Sequence, residues 1–298
     1  MSRLLPLLAW QARAREPEEG VAALAERLTG LLADFPETRL VVLPEYHLTA
    51  VHGTPDQRVQ RYRELVEPID GERVTELREV ARDLGIWLVP GTFPEAGPNG
   101  ELYNSTVLLG PDGGVHGVYR KIFPWRPFEP FDMGTGFTVA DVDGIGRVGF
   151  AICYDLWFPE VIRQLAWLGA ELVILPTQTS TRDREQELVL ARAAAIANQV
   201  FVLSLNAATP SGVGRSLLVD PEGRVRWQAP SEVAGVYTDV IDLDEVSRVR
   251  EHGTCALNRM WHQFGTNDPE ILLPAYGGSI RPGSWLPGSR RDAHGTDQ

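Results

Sequence analysis

Short runs of β-branched and leucine residues alternate with amphipathic helical patterns along this chain of 298 residues. Runs that are apolar on both strand faces are typical of strands covered by helices on one side and by a second sheet on the other. The clearest of them are LLPLLAWQ, RLVVLPE, IWLVPG, ELVILPT and VFVLSLNAA. Apolar residues at helical spacing occupy residues 18–35, 71–85, 158–170 and 184–199. The alternation predicts an α/β fold.

Pairs of strands joined by tight turns interrupt this alternation in the middle of the chain. Hairpin patterns cover residues 102–121, 137–155 and 215–230, and GVYTDVIDLDEV adds a last strand. Central hairpins together with helix-covered strands predict two sheets packed face to face with helices outside, a four-layer α-β-β-α sandwich. We expect a single domain over residues 1–264. Residues 265–298 are rich in Gly, Pro and Ser, and we expect an irregular tail that could serve as an oligomer arm.

The composition excludes several classes of function. The formal net charge of −12 disfavours non-specific binding to nucleic acids or anionic membranes, which requires basic patches. No apolar stretch approaches the length of a membrane span, and the N-terminus lacks a signal-peptide pattern. Two cysteines cannot form a disulfide framework, so a cytoplasmic protein with reduced thiols is expected. The six histidines are scattered, and His47 and His52 are expected in loops or at the surface rather than on a metal.

A glycine-rich motif, GIGRVG at residues 144–149, matches the pattern of a dinucleotide-binding loop. Such a loop must follow a strand and open a helix. Here the motif leads into the apolar strand VGFAIC, so we interpret it as a hairpin turn. The sequence contains neither a P-loop nor a G-x-S-x-G elbow.

One buried run ends in a cysteine at the point where polar residues begin, in GFAICYDLWFPE. Cys153 closes an apolar strand, and Pro159 stands where a helix would start. The thiol is therefore expected at a strand-to-helix junction, where backbone N–H groups favour a thiolate and an oxyanion. A buried structural cysteine is the alternative that this stretch by itself leaves open.

Three charged residues occupy comparable positions at strand ends. Glu45 follows an apolar strand directly, and Lys121 closes another strand. Glu129 lies in the aromatic, proline-rich loop after Lys121. Taken alone, Glu45 is better explained as an N-cap or turn carboxylate, and Lys121 and Glu129 are better explained as a surface ion pair, than as catalytic residues.

Hydrolysis of an amide by a thiol requires these residue types together. A carboxylate with a raised pKa can take the thiol proton and return it to the leaving amine. A lysine supplies fixed positive charge for the tetrahedral oxyanion. A second carboxylate can hold both the lysine and the substrate amide nitrogen, so that no histidine is needed.

The motifs LPE with Glu45, YRKIFPW with Lys121 and GFAICYDLWFPE with Cys153 resemble the nitrilase, or carbon–nitrogen hydrolase, superfamily. The resemblance extends over nearly the whole chain and includes ELVILPT and AAAIANQVFVLSLN. It implies a catalytic Glu-Lys-Cys triad at Glu45, Lys121 and Cys153, with an additional catalytic glutamate at Glu129. It also implies the α-β-β-α sandwich, cytosolic homodimers or higher homo-oligomers, and no metal or organic cofactor. The oligomer contact is expected to use the helix VIRQLAWLGA and the C-terminal tail.

The motif details resemble the amidase-type branches of the superfamily most closely. True nitrilases typically have Trp-Glu after the cysteine, whereas Tyr154 and Asp155 stand here. We therefore expect an amidase that acts on a small, non-peptide amide through a thioester and releases ammonia and a carboxylic acid. An N-carbamoyl hydrolase with the same residues is an alternative, for which Arg126 or Arg182 would bind a substrate carboxylate. A binding scaffold without catalysis is the alternative from another class.

Aromatic side chains near the motifs are candidates for the wall of the substrate pocket. Trp125, Tyr154 and Trp157 are predicted to contact the substrate, and Phe128 lies in the same loop as Trp125. Aromatic residues in general occur more often in the core than in pockets, so the sequence positions of these residues do not decide between the two roles.

Overall fold

A computed structural model describes residues 2–281 of the chain. The first half of the chain forms, in order, β1 (Leu4–Gln11), α1 (Gly20–Asp34), β2 (Leu40–Val42), α2 (Pro55–Glu64), α3 (Glu72–Leu84), β3 (Trp87–Val89), β4 (Thr92–Ala96), β5 (Leu102–Leu109) and β6 (Val115–Arg120). The second half forms β7 (Val139–Val142), β8 (Gly146–Phe150), α4 (Pro159–Trp167), β9 (Leu172–Thr177), α5 (Arg184–Asn198), β10 (Phe201–Asn206), β11 (Leu217–Val219), β12 (Val225–Gln228), β13 (Gly235–Asp242), α6 (Asp244–His252), β14 (Ile271–Leu273) and β15 (Gly278–Ile280).

The strands form two large sheets. The first has the order β13-β1-β2-β3-β5-β4, with β6 also paired to β5, and the second has the order β12-β11-β10-β9-β8-β7. In the first sheet β1, β2 and β3 run parallel, and in the second β8, β9 and β10 do so. Polar residues that follow parallel neighbours meet at one edge of a sheet, and this arrangement brings the site residues together.

The two sheets pack face to face around a shared core. One apolar cluster contains buried side chains from both sheets, among them Leu7, Val42, Phe150 and Leu203. A second cluster lies between the first sheet and α1 with α3, and a third lies between the second sheet and α4 with α5. The predicted four-layer α-β-β-α sandwich is confirmed.

The glycine-rich motif lies in a hairpin, as the sequence indicated. Strands β7 and β8 are antiparallel, and Val142 pairs with Gly146 across the turn. The motif therefore joins two strands of one sheet and does not begin a helix.

Some elements were not predicted from the sequence. The sequence analysis identifies no helix or strand between residues 46 and 64, yet this segment contains α2, whose N-terminus is capped by Thr54 and Gln57 in a capping box. Of its side chains only Tyr62 is buried, so the helix lacks the apolar face that periodicity detects. The prediction also omitted α6 and the edge strand β4, which contains Pro94.

The segment predicted to be an irregular tail contains local pairing. Strands β14 and β15 form a small antiparallel hairpin in which Ile271 pairs with Ile280. The remainder of the predicted tail, from residue 282 onward, lies outside the described residues. In residues 2–281, no helix has the length and apolar character needed to cross a membrane. No cluster suited to a metal ion is found in that same range.

Candidate active site

Cys153 lies just beyond the end of β8, as its sequence position predicted. It begins a short 3-10 helix, Cys153–Trp157, and is partly buried. Its backbone φ is 47°, in the left-handed region that residues other than glycine seldom adopt. A non-glycine residue in this region is stored strain of the kind that is concentrated at functional sites.

Asp155 fixes the turn that carries Cys153. Its buried carboxylate accepts hydrogen bonds from the backbone N–H of Ile152 at 2.8 Å and of Phe123 at 2.9 Å. The Tyr119 hydroxyl donates a third, at 2.7 Å. The carboxylate therefore ties the cysteine turn to the segment after β6. The sequence analysis used this residue only to separate branches of the family and missed its structural role.

Lys121 lies between two carboxylates, and we call Glu45, Lys121 and Glu129 the lysine cluster. The Lys121 ammonium donates to both oxygens of Glu129, at 2.9 and 2.8 Å, and to Glu45 Oε1 at 3.2 Å. The side chain of Lys121 is fully buried, and that of Glu129 is 11% exposed. The surface ion pair considered for Lys121 and Glu129 is thereby excluded.

Glu45 is held at the end of the segment that follows β2. Oε1 accepts from Asn104 Nδ2 at 2.8 Å, and Oε2 accepts from the backbone N–H of Gln178 at 2.8 Å. Gly91 packs closely against the main chain of this segment at Pro44. A Cβ on Gly91, where φ is 88°, would lie 2.1 Å from the Pro44 carbonyl oxygen.

Tyr46 and Asn104 connect the two carboxylates, and sequence reasoning found neither. Asn104 Nδ2 donates to the Tyr46 hydroxyl at 2.7 Å, and that hydroxyl donates to Glu129 Oε1 at 3.1 Å. Because Asn104 also donates to Glu45, one amide group aligns both acids. Tyr46 directly follows Glu45 in the LPEYH motif, and this adjacency was the one signal in the sequence that could have identified Tyr46 as a site residue.

The electrostatics of the lysine cluster suit proton transfer. Burial raises the pKa of Glu45, and the charge of Lys121 opposes this rise without cancelling it. Burial by itself would lower the pKa of Lys121, but the charges of Glu129 and Glu45 outweigh it and raise that pKa well above the ordinary value. Burial, helped by the charge of Glu45, also raises the pKa of the Cys153 thiol. The site thus holds a charged lysine, a neutral thiol and a carboxylate that readily accepts a proton.

The aromatic candidates lie at two places around the cysteine. Tyr154 and Trp157 belong to the same short helix as Cys153, with ring centroids 6.1 Å apart. Trp125 is 39% exposed and packs on Phe128 at 4.3 Å. The backbone N–H of Trp125 donates to Glu129 Oε2 at 2.6 Å.

The arginines considered for a substrate carboxylate are outside the lysine cluster. Arg126 donates to the backbone carbonyl of Phe131 at 3.1 Å, and Arg182 is exposed beside a cavity of about 710 Å³. Cys255, the second cysteine, is exposed.

Comparison with known proteins agrees with this geometry. The family model for carbon-nitrogen hydrolase matches residues 9–251. The omega-amidase NIT2 of Pongo abelii is 33% identical over 228 residues, covering 72% of this chain and 80% of the relative. The deaminated glutathione amidase of Rattus norvegicus is 34% identical over 208 residues, covering 63% of each chain. The crystal structure of Saccharomyces cerevisiae Nit3, a member of branch 10 of the nitrilase superfamily, has a TM-score of 0.75 and 27% identity and covers 84% of this chain and 94% of Nit3.

The fold and these matches define the class, and the chain belongs to the carbon–nitrogen hydrolase family. Within the nitrilase superfamily it is of the amidase type, a cysteine-dependent hydrolase of carbon–nitrogen bonds. The resemblance stated from the sequence motifs is confirmed.

Proposed function

We propose that this amidase hydrolyses a small, non-peptide primary amide through a thioester on Cys153, with Glu45, Lys121 and Glu129 as the other catalytic residues. The observation that carries the proposal is the arrangement of one partly buried thiol beside one buried ammonium and two carboxylates. Glu45, Lys121 and Glu129 are joined by direct hydrogen bonds, and the charges of Glu45 and Lys121 act on the Cys153 thiol.

In the first half of the reaction, the Cys153 sulfur attacks the amide carbon while Glu45 takes the thiol proton. The Lys121 ammonium and the backbone N–H of Tyr154 stabilise the oxyanion that develops on the carbonyl oxygen. Glu45 then gives its proton to the leaving nitrogen, the carbon–nitrogen bond breaks, and ammonia departs. A thioester between the acyl group and Cys153 remains.

In the second half, water attacks the thioester carbon and gives a proton to Glu45. The carbon–sulfur bond breaks, the carboxylic acid leaves, and the thiol recovers its proton from Glu45. Glu129 holds Lys121 in place throughout and accepts a hydrogen bond from the substrate amide. The raised pKa of Glu45 suits a group that must both accept and return a proton.

The substrate pocket is proposed to have an aromatic wall formed by Trp125, Tyr154 and Trp157. Tyr154 and Trp157 lie on the same short helix as Cys153, and the backbone N–H of Trp125 donates a hydrogen bond to Glu129. The names of the two curated relatives describe amidases of an omega-amide and of deaminated glutathione. These names are the reason to test terminal carboxamides as the first substrates.

The direct test is a panel of primary amides and N-carbamoyl compounds assayed for ammonia and carbon dioxide. We expect ammonia without carbon dioxide from at least one terminal amide, and no turnover by Cys153→Ala. Cys255→Ser is the matched control, because Cys255 is exposed, and should keep full activity. Full activity in Cys153→Ala would refute the mechanism, and carbon dioxide beside ammonia would assign the carbamoyl reaction instead.

We also propose a cytoplasmic homodimer or higher homo-oligomer, with residues 1–264 as the hydrolase domain and the tail as an oligomer arm. The two free thiols support a reducing compartment. The exposed Leu168 at the end of α4 and a cavity of about 920 Å³ between α4 and the β14–β15 hairpin support a contact there. Light scattering at micromolar concentration tests the assembly, and a monomer would contradict it.

A further inference from the structure

A second buried charged cluster contacts the cysteine, and the proposed mechanism does not use it. We call Thr179, Arg184 and Glu187 the arginine cluster. Arg184 donates to Glu187 Oε2 at 3.0 Å, and the two side chains are 2% and 3% exposed. Thr179 Oγ1 lies 3.9 Å from the sulfur of Cys153. A buried ion pair is costly to form and often adds no stability, so its position beside the nucleophile requires a reason.

The backbone of Thr179 is held firmly. Its N–H donates to Asn206 Oδ1 at 2.8 Å, and its carbonyl accepts from Asn206 Nδ2 at 3.0 Å. The N–H of Val213 donates to the same carbonyl at 2.9 Å. These contacts fix the backbone of Thr179, and the hydroxyl hydrogen can still turn about the bond between Cβ and Oγ1.

Glu187 determines that direction. The Thr179 hydroxyl lies 2.8 and 2.9 Å from the two oxygens of the Glu187 carboxylate, which can only accept when ionised. A hydroxyl has one hydrogen, and Glu187 accepts the hydrogen of Thr179. The Thr179 oxygen therefore presents only its lone pairs to the Cys153 sulfur.

Arg184 keeps the carboxylate in place. Besides Glu187, it donates to Ser204 Oγ at 3.0 Å, to the Ser204 carbonyl at 3.3 Å and to the Arg215 carbonyl at 3.1 Å. These acceptors come from β10 and from the segment before β11, so the guanidinium is anchored to the sheet. The carboxylate cannot turn away from Thr179 without losing its ion pair.

We propose that Glu187 is a positioning residue that commits the Thr179 hydroxyl hydrogen to itself, so that no hydroxyl stabilises a free thiolate on Cys153. The thiol then keeps its proton until Glu45 removes it as the substrate is attacked. This inference rests on the proposed function, because it assigns the neutral thiol to the resting state of that reaction.

The other charges around the sulfur agree with this assignment. After burial and the charge of Glu45, the next largest influences on the Cys153 thiol are Lys121, which lowers its pKa, and Glu187 and Glu129, which raise it. Lys121 is engaged by two carboxylates, and the Arg184 guanidinium, which also acts on the thiol, is paired with Glu187. A hydroxyl free to donate would add a stabilising contact to the thiolate, and Glu187 withholds it.

The test measures the pH dependence of iodoacetamide alkylation at Cys153, in a Cys255→Ser background. The main variant is the double replacement Arg184→Met/Glu187→Leu, which exchanges the ion pair for apolar side chains and frees the Thr179 hydroxyl. We expect the midpoint of alkylation to fall by about one pH unit, the effect of one hydrogen bond to a charged group. An unchanged midpoint would overturn the proposal.

Adding Thr179→Val to that double variant shows whether the effect passes through the hydroxyl. We expect the third change to restore most of the shift, whereas a shift that persists would mean that Glu187 acts by charge alone and would overturn the proposal. Glu185→Gln is the matched control, because Glu185 is an exposed glutamate on the same helix that pairs with Arg215. Its midpoint should equal that of the parent.

Folding and function are kept separate in this design. Thermal melting of each variant reports whether it folds, and if the double variant does not, Glu187→Gln provides the same comparison with a smaller change of shape. Alkylation needs no turnover. An inactive amide panel would therefore refute the proposed function and leave the alkylation result to decide the role of Glu187.

Discussion

The lysine cluster and the arginine cluster both act on Cys153 and are both largely buried, yet their charges are balanced differently. In the lysine cluster one ammonium faces two carboxylates. In the arginine cluster one guanidinium faces one carboxylate and also binds two backbone carbonyls. A surplus carboxylate is able to accept a proton, whereas a balanced pair that is anchored to the sheet holds a geometry.

The two clusters are also assembled differently. Glu45 follows β2, whereas Lys121 and Glu129 both follow β6, so these strands of the first sheet must be assembled before the three residues meet. Arg184 and Glu187 are three residues apart on α5 and form their pair within one helical turn. We therefore expect changes in the lysine cluster to affect catalysis more than stability, and changes in the arginine cluster to do the reverse.

The largest expected effect is that of Glu129→Gln on catalysis. The amide keeps the shape of the side chain but removes its charge, and kcat should fall by about two to four orders of magnitude, the range of a positioned acid–base group. The melting temperature should change little, because Lys121 retains Glu45 as a partner. Asp132→Asn is the matched control, since Asp132 is an exposed carboxylate in the same loop. Normal kcat in Glu129→Gln would remove Glu129 from the mechanism.

The converse expectation concerns Arg184→Met. Glu187 would be left as a buried charge without its cation, and the free energy of unfolding should fall by about 3–5 kcal/mol. The double replacement Arg184→Met/Glu187→Leu should recover most of that loss, because neither charge remains. Chemical denaturation of the two variants measures the difference. If the double variant is as unstable as the single one, the loss comes from packing and not from the unpaired charge.

Lys121→Arg tests whether the position of the positive charge matters. The guanidinium keeps the charge but is planar and larger, so it cannot occupy the same point between Glu45 and Glu129. We expect kcat to fall by about a hundredfold or more, the scale of losing one oxyanion donor. Arg120→Lys, at the adjacent residue, should leave kcat near normal. Near-normal turnover by Lys121→Arg itself would contradict the assigned role.

The last expected effect, which is small over any single pH unit, concerns a titratable group outside both clusters. Burial, with a contribution from Arg15, lowers the pKa of His47 from 6.5 to about 3. The unfolded chain therefore binds a proton below pH 6.5 that the folded chain does not bind until about pH 3. Stability is fully present above that window and falls as the pH decreases through it, by up to about 1.4 kcal/mol per pH unit from this group.

Denaturation at several pH values measures this contribution. His47→Gln should make the loss of stability with acid shallower, because glutamine does not titrate. His52→Gln serves as the control, since His52 is exposed beside Glu16, and it should leave the slope unchanged. An equal slope for wild type and His47→Gln would show that His47 is not kept neutral by folding. The sequence analysis expected this histidine in a loop or at the surface, and its complete burial corrects the surface alternative.

Local patterns in the sequence determined most of the secondary structure. The strand predicted at LLPLLAWQ agrees with β1, and the helix predicted over residues 71–85 agrees with α3. Both succeed because burial on a sheet or against a sheet imposes a period on neighbouring residues. The helix α2 escaped detection because it buries almost none of its surface.

The sequence also determined which residue types are available for chemistry at the ends of strands. Glu45, Lys121 and Cys153 were identified from motifs, and the family follows from them. Only the tertiary structure decided which polar groups those residues meet. Asn104 joins Glu45 to Tyr46, and Thr179 joins Cys153 to Glu187, each across a long stretch of chain. The periodicity of a segment indicates which of its side chains are buried. The hydrogen-bond partner of a buried polar side chain depends on how distant strands pack, and no local sequence pattern contains that information.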